Sequence, residues 1–134
     1  MAEGGIRLAS GRLGKVVLAR LAPGCEIIES IKEICKREGI RHGIILGGAA
    51  SLRRAALRNV RTFPDKWPLT DQNRIFTRLE GPLEMLSISG NISRKEDGEI
   101  WVHAHVAIAT GTPDSRACGG HLVECAYIHS TGEI

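Results

Sequence analysis

Aromatic side chains are scarce: Phe63, Trp67, Phe76, Trp101 and Tyr127 make up the 4% present in 134 residues. Binding single-stranded nucleic acid by base stacking needs several exposed rings, so the composition argues against that activity. Long apolar runs are missing too, and none approaches the roughly 20 residues that span a bilayer. The first residues hold no basic stretch followed by an apolar one. No secretory signal is therefore expected, and the chain reads as soluble and cytoplasmic with no membrane partner. C-x-x-C pairs are absent, so Cys25, Cys35, Cys118 and Cys125 are expected as reduced thiols filling core space. Neither sign of charge dominates: 18 basic against 15 acidic residues leave a net charge of +3. So mild an excess permits a DNA partner without requiring one. The sequence also shows no internal repeat, heptad run or low-complexity tract.

What is present is an ordinary globular composition, 43% hydrophobic and 25% charged. At this length it fits one domain, which buries roughly two-thirds of the surface its unfolded chain exposes. Residues 1–10, rich in Gly and Ala, read as a flexible lead-in, and residues 11–134 as a single domain. The clearest element covers residues 26–38. Ile27, Ile28, Ile31, Ile34 and Cys35 fall on one helical face, while Glu29, Lys32, Glu33, Lys36 and Arg37 take the other. Acidic residues come early and basic ones late, as the helix dipole favours, and Gly39 stands where a left-handed cap is expected.

The remainder has the pattern of strands. Residues 15–21, 42–46, 52–60, 75–79, 83–92, 99–109 and 121–128 read as strands, with 132–134 starting one more. Pro23-Gly24 ends the first, Gly47-Gly48 makes a tight bend, and residues 62–73 and 111–120 are loops. Gly81-Pro82 closes strand 75–79, and Asp97-Gly98 signals a hairpin. The imperfect alternation of residues 83–92 suggests a strand covered on both sides. One helix against so many strands predicts an α+β domain with a mainly antiparallel sheet.

The strongest chemical signal is Trp101-Val-His103-Ala-His105-Val, followed by Gly119-Gly120-His121. On a strand, residues i and i+2 project to the same face about 6.5–7 Å apart, so His103 and His105 can converge on one ion. His121 opens the next predicted strand, and an antiparallel return would bring it beside them. Three neutral imidazoles suit zinc or another late first-row divalent metal, and three protein ligands with an open fourth position are the catalytic kind of zinc site. Cys118 or Glu84 could instead close the shell, and Gly119 and Gly120 would let the backbone approach closely. On spacing alone, the same histidines read first as separate imidazoles bonded to carbonyls or facing solvent, because His-x-His is short and common by accident. His42 and His129 are isolated and read as packing residues.

A basic group, Arg53, Arg54, Arg58 and Arg61, falls within nine residues. On a strand Arg54 and Arg58 share one face, Arg53 and Arg61 the other. Arg54 and Arg58 are candidate phosphate contacts, although split arginines more often pair with carboxylates. Arg7, Arg12, Lys15 and Arg20 join them only if the fold gathers them. Gly47-Gly-Ala-Ala-Ser51 lacks the phosphate-loop pattern and reads as a bend, and Ser51 has no assignable triad. Glu80 reads as an exposed turn charge, and Glu84, between Leu83 and Met85, as a carboxylate buried with a partner.

Residues Leu79-Glu-Gly-Pro-Leu-Glu84-Met-Leu-Ser-Ile-Ser-Gly90-Asn, Val102-His-Ala-His105-Val and Cys118-Gly-Gly-His121-Leu, taken in order, resemble the PPC (plant and prokaryote conserved) domain. The preceding Leu46-Gly-Gly-Ala-Ala-Ser51-Leu and the amphipathic helix match as well, so the likeness runs over residues 11–134. It implies an α+β fold whose antiparallel sheet wraps one main helix, and a homotrimer. Plant members read the A·T minor groove through AT-hooks, but no Arg-Gly-Arg-Pro core occurs here. The DNA-binding alternative is thus limited to sequence-independent contact. Prokaryotic members look like metal proteins, with histidines matching His103, His105 and His121. The fold is also similar to that of acetolactate decarboxylase, which holds zinc through three histidines. The resemblance therefore implies a trimeric metal-binding protein, zinc being the expected ion. Its three-histidine site would serve a small-molecule or regulatory role and have its shell completed by water, a small anion or Glu84. No reaction follows from it. The family pattern continues into a last strand beyond Glu133, so that edge is expected to be incomplete or differently paired here.

Overall fold

The structure is a computed structural model that describes residues 5–6 and 8–134. The part of the expected lead-in that falls on residues 1–4 and 7, Arg7 included, lies outside the described residues. The elements are β1 (Arg20–Leu21), α1 (Ile27–Glu38), β2 (Gly43–Ile45), β3 (Ala49–Val60), a 3-10 turn (Asp71–Asn73), β4 (Arg74–Arg94), β5 (Ile100–Thr110) and β6 (Ala117–Glu133). Among the described residues every strand pairing is antiparallel, in one six-stranded sheet set against one main helix, the α+β class that the sequence predicts.

Two long strands give the sheet its shape. The first part of β4 pairs with β3 and its second part with β5, while β6 pairs first with β5 and then with β3. The four strands therefore close a circuit, which removes most of the free edges an open sheet would expose. Inside the curve, Ile27, Ile28, Ile31 and Cys35 of α1 meet Val102, Ala104, Val106 and Ile108 of β5 and Leu122, Ala126 and Ile128 of β6. Each fully buried Ile or Leu contributes about 1.5–3 kcal/mol relative to exposure.

Local chemistry fixes the helix at both ends. Glu26 is its N-cap: one carboxylate oxygen accepts from the Glu29 N–H at 2.8 Å, the other from the Ala126 N–H at 3.1 Å. One side chain thus satisfies an orphan donor of the first turn and ties that turn to β6. Gly39, at φ 67°, closes the other end in the left-handed conformation.

Several expectations are corrected. The strand expected over 15–21 is paired only at Arg20–Leu21, next to mutual backbone bonds between Ala19 and Ile134. Val16 and Leu18 are exposed instead, since no neighbouring strand reaches them. The expected strands 75–79 and 83–92 are one strand, β4. Gly81-Pro82 does not end it but forms a bulge: the register steps from Arg54↔Glu80 to Leu52↔Leu83, placing two residues opposite Arg53. A Cβ at Gly81 would lie 2.6 Å from the Arg53 carbonyl oxygen, so the close approach requires glycine. A second bulge leaves Leu86 unpaired and exposed. It explains the broken alternation of residues 83–92, which therefore does not reflect a strand covered on both faces. The 111–120 loop is shorter than expected, β6 beginning at Ala117 and running on through residues 132–133 to pair with β1. Only Cys35 is a core thiol: Cys25 is half-buried, and Cys118 and Cys125 are exposed. Among the described residues, no helix is long and apolar enough to cross a membrane.

Candidate metal centre

Strand parity sends the odd-numbered residues of β5 away from the helix. Val102, Ala104, Val106 and Ile108 are buried, whereas Trp101, His103 and His105 are exposed on the opposite face. His121 arrives there because β6 pairs with β5 in the register His105↔His121, and directly paired residues share a face. At that same residue β6 leaves β5 for β3, with Arg58 paired to His121. The third histidine thus stands at the corner between three strands.

The three rings converge. Their centroids are 4.9, 5.1 and 5.3 Å apart, and one ring nitrogen from each lies within 4.8 Å of the others. His103 Nε2 and His105 Nε2 share a hydrogen bond of 3.1 Å. Arg58 Nη2 donates to His121 Nε2 at 2.9 Å. A guanidinium only donates, so Nε2 of His121 is unprotonated and Nδ1 carries the ring proton. Burial, then the Arg58 guanidinium and the other two imidazoles, push the His121 pKa down to about 4. Burial, then His103, also lower that of His105. These rings are held neutral, the form that offers a lone pair to a cation.

Glycines crowd the backbone around the rings. A Cβ at Gly90 would overlap the His103 carbonyl, and one at Gly119 would lie 2.5 Å from the Val106 carbonyl oxygen. At Gly120 the space is filled by Asn59, whose Nδ2 donates to Gly119 O at 3.0 Å and whose Oδ1 accepts the His121 N–H at 3.4 Å. The close approach at Gly119 and Gly120 is thus to neighbouring strands.

Other candidates lie apart. Glu84 is exposed, not buried with a partner, and pairs with Ala109, four residues along β5 from His105 and so about 13 Å away. Cys118 pairs with Ile108, on the face opposite the histidines. Arg54 stacks on the Tyr127 ring, 4.5 Å from its centroid, with Glu80 as its paired neighbour on β4. Ser51 Oγ bonds Ser130 Oγ at 2.5 Å, and His42 and His129 are exposed. Arg58 at His121 and Asn59 at Gly120 have no local sequence signal: both contacts depend on β3 meeting β6 more than 60 residues later.

Fold and rings together define a class: an antiparallel α+β domain presenting three convergent imidazoles on its open sheet face. The Plants and Prokaryotes Conserved (PCC) domain model matches residues 8–134, and the chain belongs to that family. It is 32% identical over 127 residues to a protein of Synechococcus sp. (strain JA-3-3Ab) named bifunctional protein GlmU, covering 95% of this chain but only 17% of that protein. Among solved structures, a plant- and prokaryote-conserved protein of Pyrococcus horikoshii superposes with a TM-score of 0.73 at 32% identity, covering 94% of this chain and 81% of that one. A protein of Archaeoglobus fulgidus named as metal-containing gives 0.74 at 24% identity, covering 96% and 82%. A protein of Bacteroides thetaiotaomicron, provisionally named as DNA-binding, gives 0.70 at 21%, covering 87% and 73%. The last two likenesses show the fold alone.

Proposed function

We propose that this protein holds a divalent cation, zinc in the first instance, on His103, His105 and His121, and offers its open side to a small molecule. The observation that carries the reading is the convergence of three imidazole nitrogens to within 4.8 Å on an exposed sheet face. Zinc–nitrogen bonds of about 2.0–2.1 Å in a tetrahedral set require nitrogens about 3.3 Å apart. The His103–His105 pair, at 3.1 Å, is already close to that spacing. The donor set fits as well: neutral imidazoles bind without the proton release a thiol would need. Bound there, the ion would supply a Lewis acid to an oxygen of the ligand. The protein's own part is to fix two ligands by strand parity and the third by the corner of β6, and to keep one side of the site open. We place the domain in a cytoplasmic homotrimer. The exposed Leu13, Val16, Leu18, Ile44 and Leu46 support further burial between subunits.

Metal analysis after purification without chelators is the test. About one zinc per chain is expected, with loss in His103→Ala and His121→Ala; metal-free wild type would end the reading. Sedimentation equilibrium checks the trimer, and a monomer at micromolar concentration would refute it.

Sequence-independent DNA contact is the rival reading, supported by the name of the similarly folded Bacteroides protein and by the arginines of β3. Arg54 and Arg58 are, however, engaged by Tyr127 and His121. Duplex affinity measured across salt decides: phosphate contacts give a steep decline, and no binding at low salt eliminates the reading.

A further inference from the structure

Where β5 and β6 part beyond the His105–His121 rung, they leave a cleft of about 410 Å³ whose wall includes His121 but neither His103 nor His105. Lys32, Arg58, Lys95, Glu99, Trp101 and Glu124 are among its lining residues. The lysines are already paired: Lys32 with Glu29 at 2.6 Å and Glu124 at 3.8 Å, and Lys95 with Glu99. Arg58 differs, for among the described residues no carboxylate forms an ion pair with it. Its partner is the lone pair of His121 Nε2.

That bond has a consequence for the site. A neutral imidazole has one lone pair. While Arg58 donates to Nε2, that nitrogen cannot ligate a cation, and Nδ1, carrying the proton, cannot either. Whichever nitrogen faces the ion, loading the site requires Arg58 to let go. The released guanidinium, half-buried at the mouth of the cleft, is then a cation without a partner beside the ion's open side. A planar fork of N–H donors suits a carboxylate or a phosphate group. The half-exposed Trp101 ring, with Lys95 5.0 Å from its centroid, offers an apolar wall for the rest of such a molecule.

Resting on the metal reading above, we propose that Arg58 is a displaceable occupant of the three-histidine site: it competes with the cation for the His121 lone pair and, once displaced, anchors a small carboxylate- or phosphate-bearing ligand in the adjoining cleft.

The test uses Co²⁺ as a spectroscopic probe, with wild type, Arg58→Gln and Arg58→Lys, whose folding is checked by circular dichroism. In anion-free buffer, Arg58→Gln should bind Co²⁺ about tenfold more tightly than wild type, since the competing charge-assisted hydrogen bond is gone. Added acetate or inorganic phosphate should change the Co²⁺ visible spectrum and raise Co²⁺ affinity in wild type, and do neither in Arg58→Gln. Whichever anion acts at the lower concentration names the ligand chemistry. Arg58→Lys should keep a weaker anion response. Equal Co²⁺ affinity and equal anion response in wild type and Arg58→Gln overturn the proposal while leaving the metal reading intact. Failure of all three proteins to bind Co²⁺ overturns both.

Discussion

The two faces of β5 are one residue apart in sequence and follow different rules. Toward the helix, Val102, Ala104, Val106 and Ile108 share one task with many neighbours, and burial there is collective. On the other face, His103 and His105 are exposed, and their meaning depends on two residues brought from elsewhere, His121 and Arg58. The first face is redundant and tolerates volume-conserving change. The second depends on particular atoms, so a substitution that hardly moves stability should remove its chemistry.

The largest expected effect breaks the comparison from the core side. Ile108→Ala, at a fully buried position, should lower unfolding free energy in urea by about 2–5 kcal/mol. His105→Ala, on the exposed face, should stay within about 0.5 kcal/mol of wild type in metal-free protein. Comparable losses for the two would erase the distinction between the faces. Gly120→Ala comes next. Its methyl group meets the Asn59 amide, so a loss of about 1–3 kcal/mol is expected, together with weakened metal binding as His121 shifts. An unchanged melting curve would show that Asn59 does not confine the turn.

A smaller effect sharpens the electrostatic side. The folded pKa of His121 lies at about 4, below its ordinary 6.5, so the unfolded chain takes up that proton first. The contribution is fully present above pH 6.5 and lost as pH falls toward 4. Metal-free protein should therefore lose stability across that window, and His121→Asn should lose less. Glu26 acts in the opposite direction: burial raises its pKa, so protonation on acidification favours the fold. A wild-type slope no steeper than that of His121→Asn would contradict the assigned state of the ring. The smallest expected effect is none: Glu84→Gln and Cys118→Ala should leave metal affinity unchanged, because one lies along the strand and the other on the opposite face. A tenfold loss in either would return it to the site.

How legible these regions are in the sequence follows from the range of the interactions that make them. The helix over 26–38 is written locally, in its apolar spacing and its glycine cap, and the structure moves only its first residue, Glu26, to the cap. β5 is equally plain, because alternation and the Asp97-Gly98 turn are local. β4 is not: Gly81-Pro82 and Leu86 interrupt the pattern, while the pairing to β3 and β5 that carries the strand through them is set far away in sequence. At the site, parity alone puts His103 and His105 side by side. His121 needs the return strand, and Arg58 needs the register of β3 on β6, which neither spacing nor composition records.

Gly120 and Asn59 occupy a single volume between them, the amide lying where a side chain at 120 would go. Neither position is therefore free to drift alone. A bulkier residue at 120 is admissible only after 59 has shrunk, and the shrunken residue must still receive the His121 N–H or leave it to water. Selection from a library randomised at both places should return pairs whose sizes are anticorrelated, a two-letter constraint invisible at either letter.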